Sequence, residues 1–454
     1  MNKVILISPP YMKLSIPTYD MPLALTKGCN YMNPGLLISS AILDEHNIDN
    51  KIIKVNGFTE NDMVELIKSI DNNTILVGIS CTCSWEYLES LKIAEIIKHK
   101  YPNIKILLSG WQVKSIKDKV FKDSEFIDYI ITGDAEYTIL KLYNSIVNKE
   151  SVDIPTLIEK NKPIKKNNIK YPSVDFKVLD FTKFPNYQYY IPFVEESRNC
   201  PYNCKFCLNS CVNDYYQFVP FEIFKKNVEN IESAYGPNAQ ANLLAANFGV
   251  NYKETKRKLE FLKTKKMTWN IELHVDNHWE YYIDNLKEAG ITKASIGFES
   301  GSVTILKQMN KTVNPSNYLD RMRKLLIALN NQGIKPSINL LFDYRETPET
   351  MNETLEFLRN NKEYIKKVKG NFMFAFEGII NNINEFNSRN VIVDDYGKKI
   401  HAYPILPKGI NLSQISKIIS EIELGNYDFV VLDNFEIESY NANKKIRSIS
   451  KKSV

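Results

Sequence analysis

Two successive series of short apolar strands, each alternating with amphipathic helices, constrain this chain more than any other feature. In the first series KVILIS reads as a strand ending at Pro9-Pro10, NPGLLISSAILDEH as a helix, KIIKVNG as a strand, TENDMVELIKSI as a helix and TILVGIS as a third strand. The helix EYLESLKIAEIIKHK follows, then the strands NIKILLSG and DYIITG and the helix EYTILKLYNSIV. Strands this short and this uniformly apolar, interleaved with helices, are covered on both faces. They predict a parallel, doubly wound, Rossmann-like sheet over residues 1–150. Ligands of such sheets bind beyond the carboxyl ends of the strands. Those ends are Ser8-Pro9-Pro10, Ser80 to Ser84, Ser109-Gly110-Trp111-Gln112 and Thr132-Gly133-Asp134-Ala135, which makes Ser80, Gly110 and Gly133 candidate ligand-facing positions.

Residues 151–190 lose the alternation. Their prolines and charge run read as a linker. The second series occupies residues 191–380, with apparent strands YYIPFVEE, ANLLAAN, TWNIELHV, KASIGFE, KPSINLLFD and KVKGNFMFAF. Helices such as ETKRKLEFLKTKK, YYIDNLKEAG and PETMNETLEFLRNN lie between them. Six βα units predict a partial TIM barrel, whose chemistry sits at the carboxyl ends of its strands. A small C-terminal extension, residues 381–454, holds one expected helix (INLSQISKIISEIEL), one short strand (YDFVVLDN) and a basic tail that reads as a solvated end.

The 454 residues allow about three α/β domains and a core large enough to need no disulfides. With 58 basic and 53 acidic residues, the charge excess is too small to argue for nucleic acid or an anionic membrane surface. MNKVILISPP lacks the features of a signal peptide, and no apolar run reaches the length of a transmembrane helix. The expected location is therefore the cytoplasm, where the seven cysteines stay reduced and serve as ligands, reactive thiols or core residues.

ESRNCPYNCKFCLNSC carries Cys200-x3-Cys204-x2-Cys207 just after the first strand of the second series. Three thiolates within eight residues converge on one point of a loop, and thiolates suit zinc or iron–sulfur clusters. A cubane held by three cysteines keeps one iron open for chemistry. Other readings are a structural zinc closed by Cys211, Cys211 as a fourth cluster ligand, and chance clustering of buried cysteines.

The triad, with Phe206 before its last cysteine, resembles the signature of radical S-adenosylmethionine (radical SAM) enzymes. The resemblance implies a [4Fe-4S] cluster on Cys200, Cys204 and Cys207, whose open iron chelates S-adenosylmethionine, and an electron donor such as flavodoxin or ferredoxin. It extends to SIGFESGSVTILKQMNK, which resembles the family's run after the fourth barrel strand. By position Glu299 and Ser300 would contact the cofactor's ribose or aminoacyl part, and Gly301 would let backbone come close. The alternative is an ordinary strand-to-helix turn with Ser302 as N-cap. Two stretches depart from the family: Ala245-Ala246-Asn247-Phe248 stands where acidic residues are common, and Phe342-Asp343-Tyr344-Arg345-Glu346-Thr347 replaces Gly-x-Pro-Gly-Glu-Thr.

A doubly wound domain ahead of such a barrel resembles the cobalamin-binding domain of cobalamin-dependent members, as do ISPPY and ITGDAEYTILKL. The family's Gly-Gly-Pro-His turn is replaced by Ser109-Gly110-Trp111-Gln112. Asp44-Glu45-His46 imitates the start of the Asp-x-His-x-x-Gly motif that supplies a cobalt-binding histidine, but Asp49 stands in place of its Gly, so His46 reads as a helix-end surface residue. Cys81 and Cys83 read as inert core thiols, and a metal site on His274 and His278 is disfavoured because HVDNHW spans a strand end.

The expected function is a cobalamin-dependent C-methyltransferase acting on an unactivated carbon of a small molecule or peptide. The alternatives are a cobalamin-dependent rearrangement or ring contraction, a radical enzyme whose first domain binds no corrin, and an adaptor with a structural cluster. The sequence assigns no catalytic residue.

Overall fold

A computed structural model describes residues 2–10, 32–151, 153–162, 174–211, 215–376, 401–405, 407 and 430–431. The first sheet contains β1 (Lys3–Ser8), β2 (Asp49–Lys54), β3 (Thr74–Ser80), β4 (Lys105–Ser109), β5 (Tyr129–Ile131) and β6 (Leu157–Glu159), in the order β2-β1-β3-β4-β5-β6. The first five strands are mutually parallel. Alternate residues of β1 explain the double covering. Ile5 and Ile7 pack with Ile79, Ile93 and Ile97 on one face, while Val4 and Leu6 pack with Leu36 and Leu37 on the other. Strand order reverses between β2 and β3, so the crevice at the carboxyl ends opens beside β1.

The flanking helices have local causes. Pro34 opens the helix Pro34–Glu45, where its missing N–H costs nothing. Thr59 and Asp62 close a capping box on the helix Glu60–Lys68. The strand β6 lies inside the expected linker and pairs antiparallel with β5. Three half-buried residues are too few to show a period, so sequence reading misses it.

The second sheet is built from β7 (Phe193–Glu195) and β10 (Gln240–Leu244), β11 (Thr268–His274), β12 (Ile291–Glu299), β13 (Ser337–Phe342) and β14 (Lys367–Phe376). These six are parallel neighbours in the order β14-β13-β12-β11-β10-β7, the arrangement expected of a partial barrel. Between β7 and β10, the short antiparallel pair β8 (Ser197–Arg198) and β9 (Gln217–Phe218) brackets the cysteine loop. β15 (Ala402–Ile405) adds antiparallel to β14, and β16 (Val430–Val431) adds parallel to it. Where YYIDNLKEAG reads as a helix, the chain makes two 3-10 turns, Trp279–Tyr281 and Ile283–Asn285. There Tyr282 and Leu286 are fully buried as wedges against the barrel. The expected helix INLSQISKIISEIEL lies outside the described residues.

Among the described residues no helix is long and apolar enough to cross a membrane. One apolar core runs from the Leu6 face of the first sheet into the barrel's outer face, so the two sheets share packing. His401 adds a further tie, its Nε2 lying 2.7 Å from Asp123 of the first domain.

Candidate functional site

The cysteine loop leaves the sheet after β8 and is fastened from two directions. The Lys205 amide donates to the Met309 carbonyl (2.9 Å), and Asn310 Nδ2 donates to the Asn203 carbonyl (2.7 Å). Tyr202 stacks on His274 at 4.0 Å and 9°, and its hydroxyl reaches Asn277 Oδ1 at 3.3 Å. The loop itself is turned by Cys207 N–H to Cys204 O, 3.1 Å. Burial pushes all three thiols up, Cys204 to about 12, while Lys311 pulls each of them down. Cys204 also feels both other thiols and Cys207 feels Cys200, so the three lie close together. Left as thiols they stay protonated, and only positive charge beyond that of Lys311 makes them thiolates. Metal ions supply that charge and release the protons.

Among the described residues no three His, Cys, Asp or Glu side chains are arranged to hold a single metal ion. Three thiolates on one loop suit an iron–sulfur cluster or a zinc ion by their chemistry. The Cys211 side chain lies outside the described residues.

Sequence reasoning missed Lys311, which is buried beside this loop. Its Nζ lies 3.1 Å from Glu299 Oε1 and 5.9 Å from the centre of the Phe206 ring. Burial disfavours its charge, but Glu299 and the cysteines outweigh that and raise its pKa. Glu299 ends β12 with a φ of 69°, a left-handed turn that breaks the ladder and swings its carboxylate to Lys311. Nothing in the local sequence, where Asn310 and Thr312 flank it, marks this lysine as buried.

Ser300 and Gly301 are fully buried against the helix Pro348–Asn360. Gly301 N donates to Thr354 Oγ1 (2.8 Å), and Ser302 N donates to Ser300 Oγ (3.1 Å). A Cβ on Gly301 would lie 2.6 Å from the Thr354 Cα, so glycine is what lets the run approach that helix. Ser302 takes the N-cap position, but its hydroxyl makes no cap bond. Glu346 joins the network from the loop after β13. Burial raises its carboxyl to about 7, against hydrogen bonds from Thr350 and Ser300 that lower it.

A cavity of about 390 Å³ joins the two sheets. The first sheet supplies Ser80, Gly110 and Gly133; the barrel supplies Glu195, Arg198, Ala245 and Glu272. The three sequence candidates of the first domain therefore meet in one wall. Ser80 Oγ accepts from Asn33 Nδ2 at 2.5 Å, which leaves Asn33 Oδ1 buried without a partner. Gly110 has a φ of 127°, and a Cβ there would stand 2.1 Å from the Cys81 carbonyl oxygen. Only glycine fits. His46 caps the far end of its helix, exposed. Cys81 is buried at the end of β3.

The cavity's floor is an ion cluster that bridges the domains. Arg198 donates to Glu136 (2.6 Å) and to both carboxylate oxygens of Glu195 (3.0 and 2.7 Å), with Asp134 at 3.8 Å. Three carboxylates surround one guanidinium. Burial, together with Asp134 and Glu195, lifts Glu136 to about 6 against the pull of Arg198. The same carboxylates raise the Arg198 pKa.

Residues 194–358 match the model of the Radical SAM superfamily. They form a radical SAM domain. The chain is 24% identical over 353 residues to an uncharacterized methyltransferase of Pyrococcus horikoshii, covering 71% of this chain and 70% of that one. Its fold is that of the radical SAM methyltransferase TsrM from Kitasatospora setae. A structure of that protein with cobalamin and a [4Fe-4S] cluster bound superposes with a TM-score of 0.72, 12% identity and complete coverage of both chains. The cobalamin-dependent radical enzyme OxsB, with aqua-cobalamin and S-adenosylmethionine bound, superposes with a TM-score of 0.67 and 16% identity, over 99% of this chain and 71% of its own. The radical SAM match covers the cysteine loop, the Glu299 run and the Glu346 loop, but not the first domain.

Proposed function

We propose that this radical SAM enzyme is a cobalamin-dependent C-methyltransferase acting on an unactivated carbon of a small molecule or peptide. One observation carries the reading: the cavity that joins the carboxyl edge of the doubly wound sheet to the barrel mouth. Two cofactors held by different domains can meet a common substrate only if such a space connects them.

Cys200, Cys204 and Cys207 would hold the cluster, with Phe206 and Lys311 packed behind it. Glu299 would offer S-adenosylmethionine a carboxylate, and Gly301 a close approach of backbone. Ser300, wholly buried, would act by holding that loop in place. Ser80, Gly110 and Gly133 would form the wall against the corrin, with no cobalt-binding histidine from an Asp-x-His-x-x-Gly motif. When bound, the cluster supplies the electron that cleaves S-adenosylmethionine to methionine and a 5′-deoxyadenosyl radical, and cobalamin supplies a methyl group. The protein's part is to keep water out, orient the substrate and fix the separation between the two. A flavodoxin or ferredoxin would deliver the electron. That the Pyrococcus relative and TsrM are both methyltransferases supports methyl transfer. TsrM, solved with tryptophan and a SAM analogue, supports a small-molecule substrate.

The test is anaerobic reconstitution with iron, sulfide and hydroxocobalamin. We expect about four irons and one corrin per chain, and 5′-deoxyadenosine on reduction. The Cys200→Ala, Cys204→Ala and Cys207→Ala proteins should lose both cluster and cleavage. A chain that holds its cluster but retains no corrin would overturn the cobalamin assignment.

A further inference from the structure

Closed parallel barrels fill their interiors with branched apolar side chains. This partial barrel does not. Along β11 to β14 the residues that pack outward are Ile271, Leu273, Ile296, Ile338, Leu340 and Val368, all in the apolar core. Four of the alternate, inward-facing residues, Glu272, Ser295, Asn339 and Lys369, are polar. They form one continuous row across four strands. Glu272 pairs in register with Ser295, the Ser295 hydroxyl lies 3.5 Å from Asn339 Oδ1, and Asn339 pairs in register with Lys369. The row begins with an anion, ends with a cation and has two neutral hydrogen-bonding groups between.

Among the described residues the Glu272 carboxylate and the Lys369 ammonium make no hydrogen bond, and no ion pair within 4.0 Å. Yet each senses the other. Burial raises the Glu272 pKa, and Lys369 opposes this; burial lowers the Lys369 pKa, Lys367 adds to that, and Glu272 opposes it. Glu272 is exposed and lines the inter-domain cavity. Two opposite charges that face one inner surface without meeting can each bind the complementary end of a molecule laid between them. Two charge-assisted hydrogen bonds of about 2.8 Å each, with a ligand between them, need more room than a direct ion pair, and the two charges stand three strands apart, on β11 and β14.

We infer that the barrel's inner row is the substrate anchor, and that the substrate is a small zwitterion of the amino-acid class. Its ammonium rests on Glu272, its carboxylate on Lys369, and Ser295 and Asn339 line the ground between. Such a molecule would lie inside the barrel with its Glu272 end at the mouth of the inter-domain cavity. The inference rests on the barrel being the reaction chamber, as proposed above. Iron content and 5′-deoxyadenosine formation report on that reading separately.

The experiment uses the anaerobically reconstituted full chain and calorimetric titration with the free L-amino acids, their methyl esters and their N-acetyl derivatives. For at least one amino acid, esterification and acetylation should each weaken binding about tenfold or more. The Glu272→Gln chain should lose affinity for that amino acid and its ester, but not for its N-acetyl form. The Lys369→Met chain should lose affinity for the amino acid and its N-acetyl form, but not for its ester. Thermal melts control for folding, and the ester and acetyl comparison on the unaltered chain needs no variant. If no amino acid binds to a chain with intact cluster and cleavage, the assignment is overturned. It is also overturned if ester and acetyl forms bind as well as the parent, or if both variants weaken all three forms alike.

Discussion

Replacing Glu346 with glutamine should stabilise this protein at alkaline pH and do almost nothing at acid pH. Glu346 is 2% exposed, between the Thr350 hydroxyl and the Ser300 network, with Asp343 and Glu353 adding negative charge. Burial is the largest cause of its raised pKa, about 7 against an ordinary 4.5. The folded state therefore holds the proton more tightly than the unfolded chain. The resulting stability is fully present below about pH 4.5 and is lost as pH rises through 7. The rise from 4.5 to about 7, at about 1.4 kcal/mol for each tenfold change, makes the ionised carboxylate cost about 3–4 kcal/mol above pH 8. Glutamine keeps the shape and an acceptor for Thr350 but cannot ionise. The difference in melting temperature between Glu346→Gln and the parent, measured by calorimetry from pH 5.5 to 8.5, should grow with pH and favour the variant at the top. Taking the difference cancels every other titrating group. A constant difference across that range, or one that falls with pH, would refute the argument that burial dominates at this carboxyl.

Three further outcomes follow from close contacts and shared charges. Gly301→Ala drives a Cβ to 2.6 Å from the Thr354 Cα, so the helix Pro348–Asn360 must move. Stability should fall by about 1–3 kcal/mol, and titration calorimetry should find S-adenosylmethionine affinity lowered together with it. Arg198→Met leaves Glu136 and Glu195 buried without their cation and should cost about 3 kcal/mol. Adding Glu136→Gln should return part of that loss in melting experiments, because it removes one of three crowded carboxylates. Gly110→Ala meets both a φ of 127° and a carbonyl oxygen 2.1 Å away. Corrin retention, read from the visible spectrum after desalting, should be abolished while the iron content of the cysteine loop survives.

The sequence alone determined what depends on local period and local chemistry. Continuous apolar strands such as KVILIS can be satisfied only by a sheet covered on both faces, and three cysteines within eight residues can only converge. Both features survive whatever packs around them, which is why the two α/β units and the thiol loop were legible. The tertiary structure decided everything that depends on what meets across strands and domains. Glu299 turns to a buried lysine twelve residues on, Ser300 faces a helix fifty residues later, and Arg198 gathers carboxylates from both domains. The expected linker yields a strand because a free edge at β5 accepts it. The helix expected at YYIDNLKEAG gives way because burying Tyr282 and Leu286 outweighs a weak helical preference. The inner row from Glu272 to Lys369 is invisible in the chain as written, where its members are 23, 44 and 30 residues apart. Barrel curvature and strand register alone bring them onto one surface, because pairing distance in a parallel sheet has no relation to distance along the sequence.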